Sequence, residues 1–177
     1  MKSDIVVIDN MGKGFSEAIS HTQKVAEYMG VSHDDSITLQ LITEEMLSMA
    51  HSITGEIKAS FWLEAEGATY MLHLSTETVM DKEKRNLLIE AATSRKNEAA
   101  KGFLSKLRDA FESMMIADVT RNANDLPDDL FKDVPNILED PEWDGFEGSV
   151  LKNLADEIKI GIRGKEVDMT VIKVFAQ

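Results

Sequence analysis

Residues 37–51 read ITLQLITEEMLSMAH, and the fold is decided by how this stretch is understood. Ile37, Leu41, Met46, Met49, Ala50 and, just beyond, Ile53 recur at helical spacing, so a helix is expected that runs to about Ser52. Ser32 offers an N-cap hydroxyl and Asp35 an acidic first turn, which gives that helix a locally specified start. Glu44 and Glu45 lie in its middle. Glu45 and Met49 are four residues apart, one helical turn, and project from the same face.

Upstream, residues 5–8 form a short apolar run that ends at Asp9, Asn10 and Gly12, the pattern of a strand and turn. Residues 15–28 are helical, with Ile19, Val25, Ala26 and Met29 on an apolar side and Gly30 as the C-cap. Downstream, residues 56–66 alternate. Ile57, Ala59, Phe61 and Leu63 point one way, and Lys58, Ser60, Trp62 and Glu64 the other. A turn at Glu66 and Gly67 leads into Tyr70, Leu72 and Leu74, which alternate in a return strand, so residues 56–75 read as a hairpin.

Residues 80–118 read as helical, with Thr78 and Asp81 as candidate caps and Gly102 as the candidate break between two helices. Leu88, Ala91, Ala99, Phe103, Leu107, Ala110, Phe111 and Met114 form a stripe along it. A stripe that long has to be covered, by the domain itself or by a second copy of the chain in a homodimer. Residues 122–145 hold all three prolines, and residues 125–144 carry eight acids against one base, Lys132. Leu126, Phe131, Ile137 and Trp143 give this irregular loop something to bury. A short helix at 149–156 and a second hairpin, 157–162 and 167–175 around Gly164, close the chain.

Strands that alternate on one side imply one sheet face covered by helices. The expected class is α+β: a two-layer α/β sandwich with a mixed, mostly antiparallel sheet of about five strands and helices on one face. The 177 residues suit a single domain, 1–177, with a helical and acidic-loop insertion at about 80–144. A hydrophobic fraction of 43% and a charged fraction of 29% are those of a folded protein. No signal peptide and no membrane span are expected. With no cysteine, disulfides and thiolate metal sites are excluded, which fits a reducing cytoplasm. A formal net charge of −13 repels phosphate backbones and anionic lipid heads, so nucleic acid and membrane are disfavoured as partners. A protein partner with a basic face fits better. His21, His33, His51 and His73 show no paired metal spacing, and no metal site is expected.

The capped helix with Glu45, the hairpin after it, and the ending LADEIKIGIRGKEVDMTVIKVF together resemble the histidine-kinase-like ATPase (GHKL) fold. Within that fold they are most similar to the small anti-sigma factor serine kinases. The resemblance covers roughly residues 30–175 and is discontinuous, because residues 80–144 have no close counterpart. It implies a Glu that positions or activates the attacking group, here Glu45, and an Asn one turn on that holds Mg²⁺. Met49 stands in the Asn position, and a thioether is a poor ligand for a hard cation. The resemblance also implies an Asp that binds adenine, followed by glycines. By register these fall near Thr76 and Thr78, and neither matches. A second glycine box before the last helix is partly present as Gly145 and Gly148, where a helix N-terminus would cradle phosphates. Thr170, on the final strand, stands where the family often has a Thr near the base.

Taken singly these features are commonplace: Glu44 and Glu45 as a solvated helix edge, Gly145 and Gly148 as loop geometry. Order and spacing join them. The resemblance implies a bacterial, cytoplasmic regulatory protein with a degenerate nucleotide site that acts through protein contacts. The alternative is an ATP-binding serine/threonine kinase or ATPase that uses Glu45 with an unorthodox Mg²⁺ shell. A third reading is an α/β sandwich unrelated to ATP.

Overall fold

The computed structural model describes residues 1–9, 13–54, 58–99 and 146–176. Along the chain the elements are β1 (Val6–Ile8), α1 (Phe15–Met29), α2 (His33–Thr54), β2 (Ala59–Glu66), β3 (Thr69–Glu77), α3 (Lys82–Ala91), α4 (Phe146–Leu154), β4 (Glu157–Arg163) and β5 (Glu166–Val174).

The helix boundaries follow local chemistry. Gly30 takes a left-handed conformation (φ 71°) after α1, and its N–H and that of Val31 donate back to Glu27 and Ala26. That double return is a Schellman ending, and glycine adopts the required φ without a Cβ penalty. The cap of the next helix stands two residues later, with the Ser32 hydroxyl accepting from the Asp35 N–H at 3.1 Å. Asp81 caps α3 in the same way, accepting from Lys84 N–H at 2.8 Å.

Both hairpins belong to one five-stranded sheet of order β1-β2-β3-β5-β4. Every strand ladder in it is antiparallel, so the expected mixed character reduces to one isolated parallel bridge, Asn97 to Ile160. Residues 1–3 continue beside β2, with Ser3 N–H donating to the Leu63 carbonyl at 2.8 Å. Alternation then sorts the side chains. Phe61 and Leu63, Tyr70 and Leu72, Ile160, and Met169 and Val171 are all buried on one face. Ser60, Trp62, Met71, His73, Asp168 and Thr170 occupy the other. The buried face meets the helical layer, in which α1 packs on α2, α4 lies beside α2, and α3 contacts β4 and α2. The architecture is thus an α+β sandwich.

One buried face and two boundaries differ from those the sequence suggests. The α2 stripe is the expected one only in part: Met46, Met49 and Ala50 are buried as expected, together with Leu39, Ile42 and Leu47, but Ile37 and Leu41 are each 42% exposed. The buried positions Leu39, Ile42, Thr43, Met46, Leu47, Met49 and Ala50 recur at three- and four-residue spacing on one broad face, which meets the sheet, α1 and α4, whereas Ile37 and Leu41 lie on the opposite side of the helix. Against α1 it even buries polar groups, with the Thr22 and Thr43 hydroxyls 2.9 Å apart.

Of the stretch expected to be helical over 80–118, as one helix or as two with a break at Gly102, the described part up to residue 99 is helical only over Lys82–Ala91. Ala92 is extended, and residues 93–98 run along the outer edge of β4. Thr93 N–H donates to Ile158 O, Glu98 N–H to Ile160 O, and the Asn97 side chain both donates to Ile162 O and accepts from its N–H. An uncovered edge strand would leave these backbone groups unpaired, which outweighs the helix preference of a few residues. Finally, the last helix begins at Phe146, not at Ser149. The remainder of the expected insertion, from residue 100, with the apolar stripe beyond Ala99, the homodimer face assigned to it and the acidic loop 125–144, lies outside the described residues.

Candidate functional site

Glu45 and Met49 sit on α2 one turn apart, as the sequence requires, but their surroundings diverge. Glu45 is half-buried and engaged by a polar or electrostatic contact. Met49 is 0% exposed, part of the main hydrophobic cluster. Its thioether is held among apolar side chains and offers a hard cation nothing. On the strand that should carry the adenine-binding Asp, Thr76 does face the helices and is buried. Its hydroxyl donates to the Lys58 carbonyl of the neighbouring chain segment at 3.2 Å.

The remaining expected residues do not join Glu45. Thr170 lies on the opposite face of the sheet from the helical layer, because Met169 and Val171 on either side of it point into the core. Gly148 lies inside the first turn of α4, not ahead of it. Gly145 lies outside the described residues. The magnesium and adenine positions that are described therefore do not fit Mg²⁺-ATP as the resemblance would require. No group of three or more His, Asp or Glu side chains capable of holding a metal occurs among the described residues.

Thr170 instead belongs to a cluster that the sequence did not reveal. Cross-strand register places Trp62, His73 and Thr170 side by side on β2, β3 and β5. The Trp62 and His73 rings stack, with centroids 4.9 Å apart and planes 11° from parallel. His73 Nδ1 and Thr170 Oγ1 are 3.1 Å apart. Around them, Glu64 accepts from Trp62 Nε1 at 3.1 Å and pairs with Lys2 at 2.9 Å, while Lys2 also lies over the indole. Hydrogen bonds from Lys2 and then Trp62 hold the Glu64 carboxyl below its usual range. Burial pushes the His73 imidazole below its usual range, against the opposing pull of Glu64. Ser75 donates to Asp168 at 2.7 Å, and no hydrogen bond links either residue to His73, so the group is not a relay of the Ser-His-Asp kind. The alternation of Trp62 and Glu64 was a visible signal. The pairing of Trp62 with His73, and of His73 with Thr170 about a hundred residues along the chain, was not.

No model of a known protein family matches the sequence, and no curated protein matches it either. Among the described residues no helix is long and apolar enough to cross a membrane.

Proposed function

We propose that this chain is a bacterial, cytoplasmic regulatory protein of the histidine-kinase-like ATPase fold, with a degenerate nucleotide site, acting by contact with another protein. The element order supports the fold assignment: strand, two helices, hairpin, then helices and a closing hairpin in the same sheet. The observation that carries the loss of nucleotide chemistry is the burial of Met49. Phosphoryl transfer depends on positioning and on charge neutralisation by Mg²⁺. A methionine closed off in the core, at the position of the metal-holding Asn, supplies neither. Contact with a protein is supported by the accessible side of α2. Ile37, Leu41 and Glu45 follow one another at four-residue intervals, and the two aliphatic side chains are substantially exposed. With a chain charge of −13, the complementary partner is basic.

Thermal melting with and without Mg-ATP tests the nucleotide half of this reading. A ligand at 100 times its Kd would add about 2.7 kcal/mol and raise the midpoint visibly. No shift at millimolar Mg-ATP is the expected result. Micromolar binding that is lost in Glu45→Gln would overturn the reading and support the alternative, an ATP-dependent kinase or ATPase of the anti-sigma factor kind.

A further inference from the structure

His73 stands on β3 between β2 and β5, on the sheet face turned away from the helices. One ring face stacks on Trp62, and Nδ1 meets the Thr170 hydroxyl. The other nitrogen, Nε2, is buried and has no hydrogen-bond partner. A neutral ring can live with this. With the proton on Nδ1 it donates to Thr170, and the bare Nε2 lone pair is the only group left unmatched. A protonated ring has no such choice. Both nitrogens then carry hydrogen, and Nε2–H is a buried cationic donor that no protein acceptor meets.

The carboxylates that face the ring favour its protonated form through space, but burial outweighs them and none of them accepts from Nε2. Among the described residues the charged groups that face the ring are Glu64 on β2, Asp168 on β5, Lys2 of the N-terminal segment and, one strand further, Lys159 on β4. Glu64 meets Lys2 and the Trp62 indole N–H through Oε1 and makes no hydrogen bond to Nε2. Asp168 accepts from Ser75, and Lys159 pairs with Glu157 at 3.2 Å. Lys2 repels an imidazolium. The indole face attracts a cation, but that attraction acts on the ring and gives Nε2–H no acceptor. Outside the stack the imidazolium can compete with Lys2 for Glu64 and regain water.

We infer that the Trp62–His73 stack is an acid-sensitive latch on this sheet face: a proton on His73 drives the imidazole out of the stack and uncovers the indole of Trp62. The inference does not depend on the nucleotide site, which lies across the sheet. Its consequence is a surface that differs between neutral and acidic conditions while the core beneath it is unchanged.

NMR of the full chain, titrated from pH 8 to pH 4, is the test. The Cε1 proton of His73 should titrate with a midpoint below about 6.5, the ordinary imidazole value. Ring-to-ring nuclear Overhauser contacts between His73 and Trp62 should disappear across that midpoint, while core methyl signals such as those of Leu72 and Val171 stay folded. In His73→Gln, the Trp62 indole N–H signal should no longer shift in that range. A midpoint at or above 6.5 overturns the inference, as do ring contacts that persist in the protonated form. Loss of the whole folded spectrum at the same midpoint overturns it too, since the opening would then be global.

Discussion

Replacing Met49 by Asn restores, on paper, the metal-holding residue of the fold that this chain resembles. The structure predicts that it breaks the core instead. Met49 is 0% exposed. Full burial of a Met side chain contributes about 1.5–3 kcal/mol. A buried amide without matched partners costs about 1–3 kcal/mol more. Met49→Asn should therefore lose about 2.5–6 kcal/mol, a large share of the roughly 5–15 kcal/mol that keeps a domain folded. Met49→Leu, which keeps the volume and the apolar character, should lose less than about 1.5 kcal/mol. Urea unfolding followed by circular dichroism measures both, and an unchanged slope shows that stability alone has moved. The reasoning fails if Met49→Asn stays within about 1 kcal/mol of the parent, a value ordinary for substitutions that strike no core or special site. It also fails if Met49→Asn acquires a higher midpoint in Mg-ATP. Either result would mean that position 49 opens onto a hydrated site.

Four further outcomes can be measured. Gly14 has φ 90°, and a Cβ there would run into the Val7 carbonyl oxygen, so Gly14→Ala should lower stability by about 2 kcal/mol or more, read from the thermal midpoint. Thr22 and Thr43 form a buried hydroxyl pair between α1 and α2, and Thr22→Val with Thr43→Val should cost less than the sum of the single changes; additive losses in a double-mutant cycle would show no coupling. Asp81→Ala removes the side-chain cap of α3 and should cost about 1 kcal/mol in urea. The folded state holds His73 below its unfolded pKa of about 6.5, so its stabilising contribution is complete above that pH and is lost as pH falls toward the folded value. His73→Gln should accordingly lose less stability than the parent between pH 7 and pH 5, and equal slopes for the two proteins would refute the assignment.

The sequence by itself determined what depends on neighbours in the chain. Gly30, Ser32 and Asp81 act on backbone groups within a few residues, and they end and start their helices where a local reading puts them. The alternation of Ala59, Phe61 and Leu63 and of Tyr70, Leu72 and Leu74 marks the buried face, because a strand turns its side chains over at every residue wherever the strand happens to lie. Tertiary structure decided the rest. Residues 93–98 leave the helical pattern because the outer edge of β4, distant in sequence, needs its backbone paired. Leu39 and Leu47 go inside while Ile37 and Leu41 stay out, because apolar residues occur on two sides of α2 and only the packing of the sheet, α1 and α4 against one of them decides which side is buried. Thr170 meets His73, and not Glu45, because the register of β5 against β3 and the side on which the helices lie are set by the packing of the whole core. Local chemistry fixes where an element starts and which way its residues alternate. Only long-range pairing fixes what each face then meets.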